Sequence, residues 1–250
     1  ADALTLIRHS CAHVMAEAVQ RLYPGTKLVY GPPLTEDAKY GFYYDVDCPE
    51  AITIEDLPRI EATMKEIVKE DRPFVRREMN REDAFAYLQG DPYKTHNVTN
   101  ADGDVISFYT QGEVGSDFED LCMGPHVPST GWVKHFKLQS VAGSYWKGDE
   151  SLGSLQRLYG NAFATKKGLK THTRLLEELL KRDHRKIGRE LDWFSFHPEA
   201  PGHAFWHPQG AALYQTLSDY ITKECALRDY EEVRTPTVLK RFLWEKSGHW

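Results

Sequence analysis

Residues 4–22, LTLIRHSCAHVMAEAVQRL, read as an amphipathic helix that Tyr23-Pro24-Gly25 brings to a stop. Ile7, Cys11, Val14, Ala18 and Leu22 form one narrow aliphatic stripe at helical spacing. His9 and His13, four apart, project from one face nearly opposite that stripe, where Ala12 and Ala16 leave room above the helix. Outward from this helix, Lys27–Tyr30 and residues 41–46 have the composition of short strands. Residues 55–70 carry Leu57, Ile60, Met64 and Ile67 at helical spacing. Residues 74–79 read as a strand, and Asn80 stands where an N-cap belongs before a short helix through Leu88. Residues 93–165 read as short strands broken by Gly, Pro, Asp and Asn turns, with 105–109, 135–138 and 155–159 the clearest. Helix, strand and helix followed by a run of strands predict an α+β domain.

The later part of the chain differs in kind. Residues 168–194 read as one long charged helical segment with a thin apolar stripe of Leu175, Leu176, Leu179, Ile187 and Leu191, the pattern of a helix that bridges two domains. Lys181, Arg182, His184, Arg185, Lys186 and Arg189 make it the most basic stretch. That cluster is either a solvated face salt-bridged to neighbouring acids or a track for an RNA backbone. After Pro198 and Pro201 a second unit begins, with an amphipathic helix over 211–227 and a short strand over 231–235 stopped by Pro236.

Composition narrows the classes. A chain of 250 residues with 41% hydrophobic and 27% charged residues has enough apolar material for one large core or two smaller ones. No run approaches the roughly 20 apolar residues that span a bilayer, so no membrane partner is expected. The beginning lacks a signal-peptide pattern and an initiating Met. Cys11, Cys48, Cys122 and Cys225 show no disulfide or C-x-x-C spacing, so reduced thiols and a cytoplasmic location are expected. A net charge of −6 opposes nucleic-acid binding over the whole surface and leaves room for a local basic track.

His9-x3-His13 lacks the Glu that follows the first His in a zinc protease, and alone it reads as well as a pair of surface or satisfied core histidines. A second constellation adds weight: Asp120-Leu121-Cys122-Met123-Gly124-Pro125-His126. Gly124-Pro125 forbids a continuous helix, so Cys122 and His126 belong at a strand end and turn, with Asp120 and Cys122 on one strand face. By itself this too can be a structural turn around a buried Cys. Taken together the two halves supply H-x3-H and C-x3-H, groups able to bind Zn²⁺ or to position a water.

R-H-S-C-A-H, G-F-Y-Y-D, C-M-G-P-H-V-P, H-F-K-L, G-S-Y-W-K-G-D and L-Q-R-L-Y-G occur in that order. Together they resemble the editing domain of bacterial threonyl-tRNA synthetases, a fold shared with the alanyl enzyme's editing domain. K-R-D-H-R-K-I-G-R-E-L-D resembles the helix that links it to the catalytic domain. E-A-P-G-H-A-F-W-H-P-Q-G and L-W-E-K-S-G-H-W resemble the start of a class II synthetase domain.

The resemblance implies an editing domain over residues 1–165, a helical linker over 166–192, and the opening of an aminoacylation domain over 193–250. It implies hydrolysis of mischarged Ser-tRNA(Thr), while the parent enzyme attaches threonine to tRNA(Thr) using ATP. Within it His9, His13, Cys122 and His126 match the editing site, with Asp120 beside them, Lys94 as the site lysine and Tyr44 lining the pocket. His9 would be the base, Lys94 would stabilise negative charge, Asp120 and Tyr44 would read the substrate's ammonium and hydroxyl, and Cys122 would be a wall. Read bottom-up, Lys94 is a solvated lysine and Tyr44 strand core.

The alanyl relative resembles a zinc site of the same ligand types, whereas the threonyl site resembles a metal-independent one, so Zn²⁺ on the four His and Cys groups stays open. Zn²⁺, Mg²⁺ and ATP are implied for the parent's synthetic site, whose ligands are expected beyond Trp250. Residues 211–236 resemble motif 1, which implies a homodimer. A chain ending there is not expected to aminoacylate, and residues 193–250 are expected to expose apolar surface and to be less ordered than residues 1–165. The competing expectations are a free-standing trans-editing deacylase and a non-catalytic tRNA-binding module. The motif 1 likeness opposes the first and the full His/Cys set the second.

Overall fold

The structure, a computed structural model, describes residues 2–101, 103–149, 153–236 and 239–248. The final L-W-E-K-S-G-H-W motif therefore falls partly outside the described residues. The chain divides into two compact units, Ala1–Glu177 and Glu178–Trp250.

The first unit is built around helix α1, Ala3–Leu22, whose N-cap Asp2 accepts the backbone N–H of Thr5. Strands β1 (Lys27–Tyr30), β2 (Phe42–Asp47), β6 (His135–Tyr145) and β7 (Ser154–Phe163) form one antiparallel sheet in the order β1-β2-β7-β6. Helix α2, Leu57–Glu70, buries Leu57, Ile60, Met64 and Ile67, the residues whose spacing predicts it. A second antiparallel sheet joins β3 (Phe74–Asn80), β4 (Val105–Gln111) and β5 (Glu119–Leu121). Helix α3, Arg81–Tyr87, begins at Asn80, whose side chain accepts from Asp83 N as the sequence predicts. Helices with wholly antiparallel sheets among the described residues make an α+β unit.

Two expectations for residues 1–165 need correction. The narrow aliphatic stripe of α1 understates its burial, because Ser10, His13, Ala16 and Glu17 on the other faces are buried as well. The helix packs on β2, β7 and α2, and from the second sheet Gln111 Nε2 donates to His13 O at 3.2 Å and to Glu17 Oε2 at 3.0 Å. Ala12 and Ala16 are therefore fully covered, and they admit neighbouring chain where open room was expected. The buried Glu17 carboxylate is satisfied by Arg72 at 2.5 Å and Arg21 at 2.7 Å. The second correction is that residues 93–165 are not all strands and turns. Helix α4, Pro92–Thr99, opens on Asp91, whose Oδ1 accepts from Tyr93 N and Lys94 N. Asp-Pro at N-cap and N1 is a start signal present in the sequence.

β1 and β2 are linked through Gly31, where an added Cβ would sit 2.1 Å from the Tyr44 ring. Gly31→Ala is expected to displace that ring from its buried seat. The cost should be about 1–3 kcal/mol, the range of overpacking in a close-packed core, read as a lower urea midpoint with an unchanged slope.

Helix α5, Lys166–Lys181, contains the boundary between the units. It is not continuous with α6, His184–Glu190, as a single helix over 168–194 would require. Asp183 ends the run by capping a new helix, accepting from Arg185 N at 2.8 Å. The basic cluster is largely ion-paired, Lys181 and Arg182 with Glu178, Arg185 with Asp183 and Lys186 with Glu190, as its bland reading predicts.

In the second unit a hairpin of β8 (Phe194–Phe196) and β9 (Ala204–Trp206) precedes α7 (Pro208–Ala226), and α8 (Arg241–Ser247) follows. Residues 231–236 form no strand, correcting that expectation. A strand exists only by pairing, and no partner for this segment is present among the described residues. α7 buries only Gly210 and leaves Leu213, Tyr214, Leu217, Tyr220 and Ile221 exposed. The expected exposed apolar surface is therefore present. Among the described residues no helix is long and apolar enough to cross a membrane.

Candidate functional site

α1 carries His9 and His13 one turn apart, and the end of β5 delivers their partners. β5 pairs with β4 in the register Tyr109↔Asp120, which puts Asp120 in the sheet and Cys122 just past its end. Cys122 N donates to Ser107 O at 3.1 Å, and Ser107 Oγ donates to Cys122 O at 2.7 Å, fixing where the turn begins. Gly124 then takes φ +71°, with the Tyr109 hydroxyl 2.3 Å from where a Cβ would stand. Only glycine serves there, both for the left-handed backbone and for the close approach. The turn returns the chain so that His126 faces α1.

The four groups meet as their spacing suggests. One ligand atom from each of His9, His13, Cys122 and His126 lies within 4.8 Å of the others. Cys122 Sγ is 3.2 Å from His9 Nε2 and 3.3 Å from His126 Nε2. The His126 ring stacks on His9 with centroids 4.2 Å apart and meets His13 edge-on at 4.3 Å. Its other face lies parallel to Phe74 at 4.7 Å.

Beside this cluster lies a second group. Lys94, in the first turn of α4, places Nζ 2.5 Å from Asp120 Oδ1, and Tyr44 Oη on β2 donates to Asp120 Oδ2. All three side chains are buried. Lys94 occupies one side of Oδ1, and a carboxylate oxygen has two lone pairs, so Oδ1 keeps one for a further donor. The His13 and Tyr44 rings are 6.4 Å apart, which joins the two groups into one site. All seven residues singled out from the sequence thus converge. Lys94 and Tyr44, which carry no chemical signature in their local sequence, are the surprise in geometric terms.

Burial sets the electrostatics. It holds the imidazoles of His9, His13 and His126 below the ordinary value, and neighbouring imidazoles push His13 and His126 further down. Burial likewise pushes the Cys122 thiol up to about 12, against the Gly124 N–H that favours the thiolate. Burial and the adjoining Asp120 carboxylate keep Tyr44 protonated far above its usual range. The cluster is therefore neutral at pH 7. The orientation of His9 is set by Pro125 O, 3.3 Å from Nδ1. A carbonyl only accepts, so Nδ1 carries the ring proton and Nε2 presents its lone pair to the site.

The donor set also fits a zinc ion. Two imidazole nitrogens and a sulphur face one another, and the buried His13 Nδ1 has no hydrogen-bond partner. His9, His13, Cys122 and His126 would be the ligands.

Sequence reasoning passed over Ser10, Phe74 and Tyr109. Ser10 Oγ accepts from Val127 N at 3.0 Å and lies 3.0 Å from His126 Nδ1. Tyr109 meets the His126 ring edge-on at 4.6 Å. Ser10 sits inside R-H-S-C-A-H, but a small hydroxyl residue within a helix carries no mark of its partner. For Phe74 and Tyr109 no local signal exists.

Residues 106–159 match the family model described as the threonyl and alanyl tRNA synthetase second additional domain. Along its full length the chain is 50% identical, over 249 residues, to the threonine–tRNA ligase of Desulfosudis oleivorans, of which it covers 38%. It is 48% identical over 252 residues to that of Nitratidesulfovibrio vulgaris, again covering all of this chain and 38% of the relative. With the Carboxydothermus hydrogenoformans protein of the same name the identity is 49% over 98% of this chain and 38% of the relative. The chain thus spans less than two fifths of the length of the curated relatives it matches, and it resembles them throughout.

Proposed function

We propose, from the premise that this chain corresponds to a segment of a threonine–tRNA ligase, that its first unit hydrolyses mischarged Ser-tRNA(Thr). The observation that carries the reading is the meeting of His9, His13, Cys122 and His126 beside the buried Lys94–Asp120–Tyr44 group. Serine differs from threonine by one methyl, and a methyl-sized difference gives a synthetic pocket only about 1–3 kcal/mol of discrimination. A second, hydrolytic site that rejects the β-methyl restores the accuracy.

The substrate's serine ester sits at the 3′ end of the tRNA. His9 Nε2 takes a proton from water while the water oxygen bonds to the ester carbonyl carbon. Lys94 stabilises the negative charge that develops on the carbonyl oxygen. The C–O bond to the ribose then breaks, and the ribose oxygen recovers the proton from His9, releasing serine and tRNA. Asp120, with its spare acceptor capacity on Oδ1, suits the serine ammonium, and Tyr44 helps to hold the carboxylate that reads it. Cys122 is a wall and hydrogen-bond partner, since a thiol held protonated is a poor nucleophile.

In this reading residues 1–165 are the editing domain, 166–192 the linker and 193–250 the opening of a class II domain. The exposed apolar face of α7 supports a motif 1 helix that packs in a homodimer. Attachment of threonine to tRNA(Thr) with ATP belongs to the longer protein.

Zinc on the four His and Cys groups would supply an acidified water. Neutral imidazoles suit a ligand set and a metal-free base alike, and the lone pair that the Pro125 carbonyl leaves on His9 Nε2 supports hydrolysis without the metal. Deacylation is therefore expected to persist after exhaustive chelation, assayed together with metal content; a loss reversed by zinc alone would reassign the four groups as ligands. The reading as a whole is tested by hydrolysis of Ser-tRNA(Thr) against Thr-tRNA(Thr). Rapid loss of serine with threonine retained is the expected result, and equal rates on both would sink it.

A further inference from the structure

We propose that Ser10 is a positioning residue that holds the ring proton of His126 on Nε2, and that this sets the order of every proton around Cys122. The proton order belongs to the resting site. Only its consequence for rate rests on the hydrolytic function proposed above.

The order can be derived from both ends. Ser10 is fully buried on α1, and its Oγ accepts from Val127 N–H at 3.0 Å. Its own hydroxyl proton needs an acceptor, since a buried donor left unpaired carries its full desolvation cost. Among the described residues its hydrogen-bond contacts offer one, His126 Nδ1 at 3.0 Å. Nδ1 therefore accepts, and the ring proton of His126 lies on Nε2, directed at Cys122 Sγ 3.3 Å away. From the other end, Pro125 O can only accept, so the His9 proton lies on Nδ1 and Nε2 is an acceptor. The single thiol proton of Cys122 then points to His9 Nε2 at 3.2 Å, while Sγ accepts from His126 Nε2–H and from Gly124 N–H at 3.2 Å.

The two proton orders meet at the sulphur without conflict. The line runs from Val127 N–H through Ser10, His126, Cys122 and His9 to Pro125 O, and each proton is used once. The opposite tautomer of His126 fails on two counts. It leaves the Ser10 hydroxyl proton without an acceptor, and it aims two imidazole lone pairs at one sulphur that has one proton to give.

The line has a consequence for the reaction. It keeps the His9 lone pair aimed into the site, covered by a weak S–H donor that an entering water can replace. Without Ser10 the His126 ring is free to move its proton to Nδ1, and the thiol proton is then divided between two imidazoles. Ser10→Ala should lower kcat for Ser-tRNA deacylation by about three- to tenfold, the scale of one neutral hydrogen bond, with KM changed less than about twofold.

The deciding measurement is the tautomer, read from ring ¹⁵N shifts in long-range proton–nitrogen spectra of the chelator-washed chain. In the unsubstituted protein His126 should carry its proton on Nε2 and His9 on Nδ1, opposite tautomers in one site. Ser10→Ala should release His126 to the other tautomer or to exchange, and Ser10→Thr, which keeps the hydroxyl, should hold it. Like tautomers for His9 and His126, or a His126 tautomer indifferent to Ser10→Ala, would overturn the proposal. If Ser10→Ala does not fold, the unsubstituted spectrum decides alone. Failure of the tautomer test with serine still released would reject the proton order and leave the hydrolytic function standing; the predicted tautomers in a chain that deacylates nothing would do the reverse.

Discussion

Deacylation of Ser-tRNA(Thr) is expected to fall by about 10²–10⁴-fold in His9→Ala, the usual contribution of a positioned general base. Three features make His9 the group to test. Its Nδ1 proton is held by Pro125 O, so Nε2 is the free base. Its side chain is only partly buried, whereas His13 is enclosed. Burial also holds its imidazole below the ordinary value of 6.5, so the neutral form persists into mild acid. The sign of the pH effect follows: the reaction needs the neutral imidazole, and a lowered value moves protonation to lower pH. The rate should therefore stay level as pH falls through 6.5 and decline only below it. His9→Ala should lose that acid limb together with the rate. An unchanged rate in His9→Ala would remove the base assignment, and a limb centred above 6.5 would contradict the burial argument.

The second large effect concerns stability. Lys94 and Asp120 form an ion pair with side chains 7% and 2% exposed, and Asp120 is also the acceptor for buried Tyr44 Oη. Asp120→Ala leaves the Lys94 ammonium and the Tyr44 hydroxyl without their partner. Breaking one side of a buried pair costs about 3–5 kcal/mol, because the remaining charge is uncompensated. Lys94→Met alone should cost less, since Asp120 keeps Tyr44 as a donor. The double variant Lys94→Met/Asp120→Ala should be more stable than Asp120→Ala alone, which additive losses cannot produce. Equilibrium urea unfolding of the four proteins measures this cycle. A cost below about 1 kcal/mol for Asp120→Ala would mean that the pair is solvated in solution.

Much of the first unit was legible before any coordinates. The spacing of Leu57, Ile60, Met64 and Ile67 marks α2, Asn80 marks the start of α3, and Pro24-Gly25 the end of α1. Errors fall where a pattern admits two outcomes. The run 168–194 keeps helical periodicity across Asp183, and only the capping hydrogen bond to Arg185 N decides that it breaks. Segment 231–235 has strand composition, yet strands are made by neighbours, and none pairs with it among the described residues. At α4 the strand signals on either side outweigh the Asp91-Pro92 cap, which hides the helix in a local pattern.

Residue type and local spacing alone established the two histidines on one helix face, the Cys and His on a glycine–proline turn, and the alternation of helices with strands. Those are short-range properties, since periodicity reports only which side of an element is covered. That α1 is enclosed all round, that Lys94 and Tyr44 close on Asp120, and that Ser10 reaches His126 across 116 positions of chain are outcomes of non-local packing. The β4–β5 register and the turn at Gly124 bring those partners together, and no local pattern encodes a distance between segments so far apart.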